Sequence, residues 1–218
     1  MKIIFIDTET TGLNSQKHDI IQLAGLVVED GKVIDSFNYK CQPVNWTDIS
    51  PQALQVNNTT YEQLHSYETP KESFVKFLEV LNKHYTPKDK FLIAGQNVKK
   101  FDWRFIVSFW EKHKSPTDKD FQYFFDNRSS LDLMDLSKPM KTHGILEVEN
   151  IKLGTIVEAL NIQIEGNLHD ALTDITVTYK SFYKLLKEYK KLHQTSPNHK
   201  IFQDTNLDYI LQTLNVIQ

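Results

Sequence analysis

A single cysteine, Cys41, stands among the 218 residues, which excludes an internal disulfide and any cysteine-rich zinc site. A reducing, cytoplasmic setting is the expectation from that scarcity. Long hydrophobic runs are lacking too: Ile3-Ile4-Phe5-Ile6 is cut off by Asp7 before it reaches the length of a signal-peptide core. No stretch approaches the roughly eighteen apolar residues of a membrane span, so no membrane partner is expected. Nor is there an excess of charge of one sign. Lys and Arg number 25 against 28 Asp and Glu, a net −3 that confines any nucleic-acid contact to a local site. Internal repeats and low-complexity tracts are missing as well. What remains, 40% hydrophobic and 24% charged residues, matches one folded domain with a terminal extension.

The patterning is mixed α/β. Residues 1–6 read as a strand buried on both faces, and Ile20–Val28 and Val33–Cys41 as two strands joined by a turn at Glu29-Asp30-Gly31. Thr69-Pro70-Lys71-Glu72 supplies a cap, a first-turn proline and an early acid for a helix carrying Phe74, Phe77, Leu78 and Leu81. Phe91–Ala94 predicts another strand, followed by a helix towards Trp110, whereas residues 115–130 show no clear period. Asn150–Leu160 reads as helical, and a long helix is predicted from about Asp170 to His193. After a break at 194–198, Leu207, Ile210, Leu211 and Leu214 form a short amphipathic stripe that needs a cover, either this domain or another chain. The expected division is therefore 1–193 as the main domain and 194–218 as an extension.

Three segments carry residues suited to chemistry. Asp7 and Glu9, two apart at the end of the first strand, point to one face, and such a pair repels itself unless a cation lies between. Hard oxygen ligands favour Mg²⁺ or Mn²⁺. Asp102 follows a second strand end, where open α/β sheets host ligands. His169 precedes the long helix, and Asp174 falls about 80° from the centre of its apolar face, where a lone carboxylate is costly and a cation ligand is not. Each residue alone has a plainer reading: strands end at the surface in acids, Asp caps helices, and most histidines are neither ligand nor base.

Together the segments resemble the DEDD superfamily of 3′-to-5′ exonucleases in its histidine-containing (DEDDh) branch. Asp7-Thr8-Glu9-Thr10-Thr11-Gly12-Leu13 resembles the first motif, Phe101-Asp102 the second, and His169 with Asp174 the third. Ile49-Ser50-Pro51-Gln52-Ala53-Leu54 is similar to a segment of bacterial polymerase proofreading subunits, and the likeness spans residues 1 to about 190. Three residues separate Asn97 from Phe101, one more than the commoner spacing. The resemblance implies an RNase H-like fold, a mixed five-stranded sheet flanked by helices. It implies two Mg²⁺ ions, with Mn²⁺ able to substitute, held by Asp7, Glu9, Asp102 and Asp174, and His169 as general base. Thr10, Leu13 and Phe101 would contact the substrate. The implied activity is hydrolysis of single-stranded DNA or RNA from the 3′ end, DNA favoured, releasing nucleoside 5′-monophosphates. The alternatives are a non-catalytic polymerase-associated binding module and an RNA-trimming exoribonuclease. Lys99, Lys100 and Arg104 flank Asp102 and are candidates for phosphate contacts, while residues 204–218 are expected to pack on this domain, a protein partner or a second copy.

Overall fold

In a computed structural model, residues 1–215 are described, apart from the side chains of 127–129, 205 and 206. Residues 216–218 of the expected extension lie outside the described residues. Five strands, β1 (Lys2–Thr10), β2 (Ile20–Glu29), β3 (Lys32–Lys40), β4 (Phe91–Gly95) and β5 (Phe125–Asp132), form one sheet in the order β3-β2-β1-β4-β5. The first three meander antiparallel, and β1, β4 and β5 run parallel, which gives the expected mixed sheet. At the β2–β3 turn, Asp30 and Gly31 both have positive φ, 50° and 78°, the geometry of the two-residue hairpin that Asp-Gly favours.

The helices are α1 (Pro51–Val56), α2 (Tyr61–Ser66), α3 (Pro70–His84), α4 (Asp102–His113), α5 (Phe121–Phe124), α6 (Leu133–Thr142), α7 (Leu153–Ala159), α8 (Ala171–Thr195) and α9 (Thr205–Thr213), with a 3₁₀ turn at Lys200–Gln203. The Thr69 cap is a full capping box with Glu72, and Asp170 caps α8 by accepting from the Thr173 N–H. Alternation along β1 divides the core. Ile3 and Phe5 pack with Phe182 of α8 and with α6 and α9, whereas Ile4 and Ile6 pack with Phe74 and Phe77 of α3 and Trp110 of α4.

The tail stripe is covered by this domain. Leu207, Ile210 and Leu211 are buried in the same cluster as Phe182 and Tyr189, with the partly buried Leu214 against it. No helix among the described residues is long and apolar enough to cross a membrane.

Candidate active site

Continuing the alternation of β1 places Asp7 and Glu9 on the α8 side of the sheet and Thr8 on the α4 side. Asp174 lies in the first turn of α8. The three carboxylates meet there, each offering an oxygen within 4.8 Å of the others. Asp102 arrives from the opposite layer. It opens α4, is buried, and its Oδ1 accepts hydrogen bonds from the Thr8 N–H at 3.0 Å and the Thr8 hydroxyl at 2.7 Å. Thus three of the four expected acids converge, and the fourth is tied to the strand residue between two of them.

Burial raises the pKa of all four. Asp7 is held well above the carboxylate range by burial and then by repulsion from Asp102, Glu9 and Asp174. Burial and the charge of Asp174 push Glu9 up to about 8. Burial takes Asp102 to about 7 against the hydrogen bonds from Thr8, and Asp174 to about 6. Asp174 carries a sharper signal. Its Oδ2 accepts the His169 N–H at 3.2 Å, but its Oδ1 is buried with no hydrogen-bond partner. An unsatisfied buried carboxylate oxygen costs about 1–3 kcal/mol or more, and a bound cation would satisfy it. A set of hard carboxylate oxygens with one left orphaned fits Mg²⁺ or Mn²⁺.

His169 sits in an exposed turn with φ of +68°, beside Asp174 through its backbone, and its ring is outside the carboxylate cluster. The residues that hold this turn were missed by the sequence reading. Gln22, buried on β2, donates from Nε2 to Asp170 Oδ2 and to Asn38 Oδ1, both at 2.9 Å, and its Oε1 accepts the Ala171 N–H at 3.4 Å. Lys40 Nζ lies 3.8 Å from Asp170 Oδ2. Sheet register lines up Glu9, Gln22 and Lys40 across β1, β2 and β3, a neighbourhood that linear spacing does not reveal. Asp132 was missed as well. It ends β5, is buried, and accepts the Asn97 and Met134 N–H groups at 2.9 and 3.0 Å. An acid between Leu131 and Leu133 at a strand end was the available signal.

The expected substrate residues border a cavity of about 300 Å³ that includes Glu9, Ser50 and Val56. Leu13 is 85% exposed at its edge, and Phe101 lies beside it with its ring 4.9 Å from that of Phe105. Thr10 lines the cavity, but its hydroxyl donates to the Gly12 carbonyl at 2.8 Å. The His18 ring packs over Gly12, where a Cβ would lie 2.5 Å from His18 Nε2 and would displace the ring. The segment Ser50–Leu54 forms α1 and its cap, docked on the strand end by Ser50 N–H to the Thr11 carbonyl at 2.8 Å and Asn57 Nδ2 to the Thr10 carbonyl at 3.0 Å. The extra residue after Asn97 is absorbed by a left-handed turn there, φ 59°, whose carbonyl accepts the N–H groups of Lys100 and Phe101.

Among known proteins, the family model described as Exonuclease, RNase_T, matches residues 4–182. The chain is 26% identical over 189 residues to the DNA polymerase III PolC-type of Thermotoga petrophila, covering 87% of this chain and 12% of that protein. It is 29% identical over 185 residues to the PolC-type polymerase of Latilactobacillus sakei, covering 85% and 11%. The chain therefore spans a small part of the length of these curated relatives. Its fold is similar to that of E. coli ExoI in a zinc-bound complex with single-stranded DNA, with a TM-score of 0.70 at 19% identity over 93% of this chain and 42% of that one. Cell-death related nuclease 4 is similar too, with a TM-score of 0.66 at 17% identity over 86% and 64%. The architecture is that of the RNase H-like exonucleases.

Proposed function

The chain belongs to the exonuclease family, within the DEDD superfamily of 3′-to-5′ exonucleases, and on that premise we propose that it is a histidine-branch enzyme shortening single-stranded ends by two-cation hydrolysis. The observation that carries the reading is Asp174, whose Oδ1 is buried without a hydrogen-bond partner and whose carboxylate offers an oxygen within 4.8 Å of oxygens from Asp7 and Glu9. DNA is the favoured substrate. Supporting this, the relatives are named as DNA polymerases, and ExoI is seen with single-stranded DNA. Proofreading fits the same chemistry. The activity is assigned to residues 1–193, with 194–218 as a packing extension.

When bound, divalent cations lower the pKa of a water and stabilise charge on the departing 3′-oxygen. Asp7, Glu9 and Asp174 supply oxygens from the α8 side, and Asp102 supplies one from the α4 side. His169 takes the proton of the attacking water through its imidazole, the side chain suited to proton transfer near neutral pH. Leu13 and Phe101 wall the terminal nucleotide, and Thr10 borders its sugar. A nucleoside 5′-monophosphate leaves at each step.

The test is a time course on 5′-labelled single strands of DNA and RNA of one sequence, with Mg²⁺, Mn²⁺ or EDTA. A ladder shortening by one nucleotide, faster on DNA and abolished by EDTA, is expected. Undiminished cleavage in EDTA, or cuts in a circular strand, would sink the reading.

A further inference from the structure

Asp132 is a fifth buried acid near the cleft, and it faces the layer of Asp102. Ile93, in the core on the α4 side, pairs in register with Ser130, so Ser130 and Asp132 point to that side and Leu131 to the other. One oxygen of Asp132 makes two bonds of different kinds. Its Oδ1 accepts the Met134 N–H at 3.0 Å, which caps α6, and the Asn97 N–H at 2.9 Å, in the turn that leaves β4. A helix cap needs only the first bond. The second reaches back 35 positions to the segment that delivers Asp102.

That segment is braced internally. Asn97 takes a left-handed conformation that asparagine tolerates, its carbonyl accepts the N–H groups of Lys100 and Phe101 at 3.1 Å each, and the Val98 carbonyl accepts the Trp103 N–H at 2.9 Å. Val98 is fully buried, and a Cβ at Gly95 would lie 2.8 Å from the Ile6 carbonyl and 2.9 Å from Val98 Cβ, so the turn leaves β4 in close contact with β1. By contrast α4 starts without a side-chain cap, since Phe101 stands at the capping position and offers no acceptor. The backbone of Asp102 is therefore set by the turn, and the turn is held at Asn97 by Asp132. Thr8 then orients the carboxylate.

We propose that Asp132 is a positioning residue for Asp102: through the Asn97 N–H it fixes the turn that presents this carboxylate to a cation from the α4 side. The inference rests on the two-cation reading. Asp132 acts as a hydrogen-bond acceptor, touches neither strand nor cation, and leaves the three acids on the α8 side to their own supports.

Two substitutions separate this role from that of a cap. Asp132→Ser keeps a capping oxygen for α6 but is one bond too short to hold Asn97 as well, whereas Asp132→Asn keeps an oxygen at the Oδ1 position. In Asp132→Ser the N–H groups of Asn97 to Trp103 should exchange with solvent about tenfold faster in cation-free protein, read by NMR, while those of α6 stay protected. Calorimetry should show one Mn²⁺ bound as in the wild type and the second weakened by about 10–100-fold, with kcat falling in the same range and KM for a single strand within about twofold. Asp132→Asn should restore all of these to within about threefold. Wild-type Mn²⁺ binding and kcat in a folded Asp132→Ser would reduce Asp132 to a cap, and an equal loss in Asp132→Asn would replace the acceptor role by one of charge; either overturns the proposal. So would an Asn97 N–H that is unprotected in the wild type, a result that holds even if Asp132→Ser does not fold. A wild-type protein that binds no Mn²⁺ would overturn the two-cation reading itself.

Discussion

The carboxylates and the histidine of the cleft stand on unlike supports. Asp7 and Glu9 project from the central strand β1, paired with β2 at both positions, and Asp174 lies one turn into a helix of 25 residues packed along the sheet. His169 stands a few residues away in an exposed turn, tied down through its own N–H, the Asp170 cap and the Gln22 amide. The acids are placed by the core, whose rigidity fixes their mutual distances before any ligand arrives. The histidine is placed by a handful of polar contacts in an exposed turn. On the proposed reading, the comparison makes cation binding and proton transfer separable by substitution.

The largest test attacks the rigid side. Asp7→Ala should lower the rate by about 10⁴-fold and weaken Mn²⁺ binding measured by calorimetry, since it removes an oxygen donor from the centre of the cluster. His169→Ala should slow chemistry by about 10²–10³-fold while Mn²⁺ affinity stays put. Equal losses of affinity in the two variants would erase the distinction between supports. Gln22→Leu sharpens it. The turn loses its tie to the sheet, so kcat should fall about tenfold with a flattened pH–rate profile and little change in KM.

The smallest effect concerns stability. Burial raises Glu9 to about 8 and Asp174 to about 6, against ordinary values of 4.5 and 3.8 in the unfolded chain. Between those limits the folded protein holds protons that the unfolded chain has released, so stability falls as pH rises from about 4 to 8. Cation-free protein should therefore melt a few degrees lower at pH 8 than at pH 5. Adding Mg²⁺ should restore more at pH 8 than at pH 5, because only the ionised acids are in conflict. A cation-free melting temperature that climbs over this range would show that the cluster is not strained by its own charge.

Sequence legibility followed the strength of periodic signals. The β1 strand, the β2–β3 hairpin, α3 and α8 each repeat a period long enough to stand out, and their bounds agree with expectation to within a few residues. The span 115–130 was opaque because β5 is an edge strand that opens directly from the short α5 and runs through polar residues. The α6 helix contains Pro139, which reads as a breaker, and α1 and α2 have only six residues each, too few to show a period. The helix expected from Asn150 begins at Leu153, because the Asn150 side chain accepts the Lys152 N–H at 2.9 Å and so favours a turn. At the site, motif spacing delivered Asp7, Glu9 and Asp174 to one place. The Thr8–Asp102 bonds and the row of Glu9, Gln22 and Lys40 depend on pairings between distant strands and layers, which no local pattern encodes.

Those distant pairings also govern when the site comes into being. Thr8 meets Asp102 across 94 positions and Gln22 meets Asp170 across 148, so the cleft is closed by contacts of high sequence separation. Such contacts form late, after the loops between them have been ordered. During synthesis the amino-terminal meander emerges first, with Asp7 and Glu9 in place, but Asp174 is still inside the ribosome until α8 has been made. A nascent or half-folded chain therefore carries acids without a cluster, and the site is whole only when the domain has assembled.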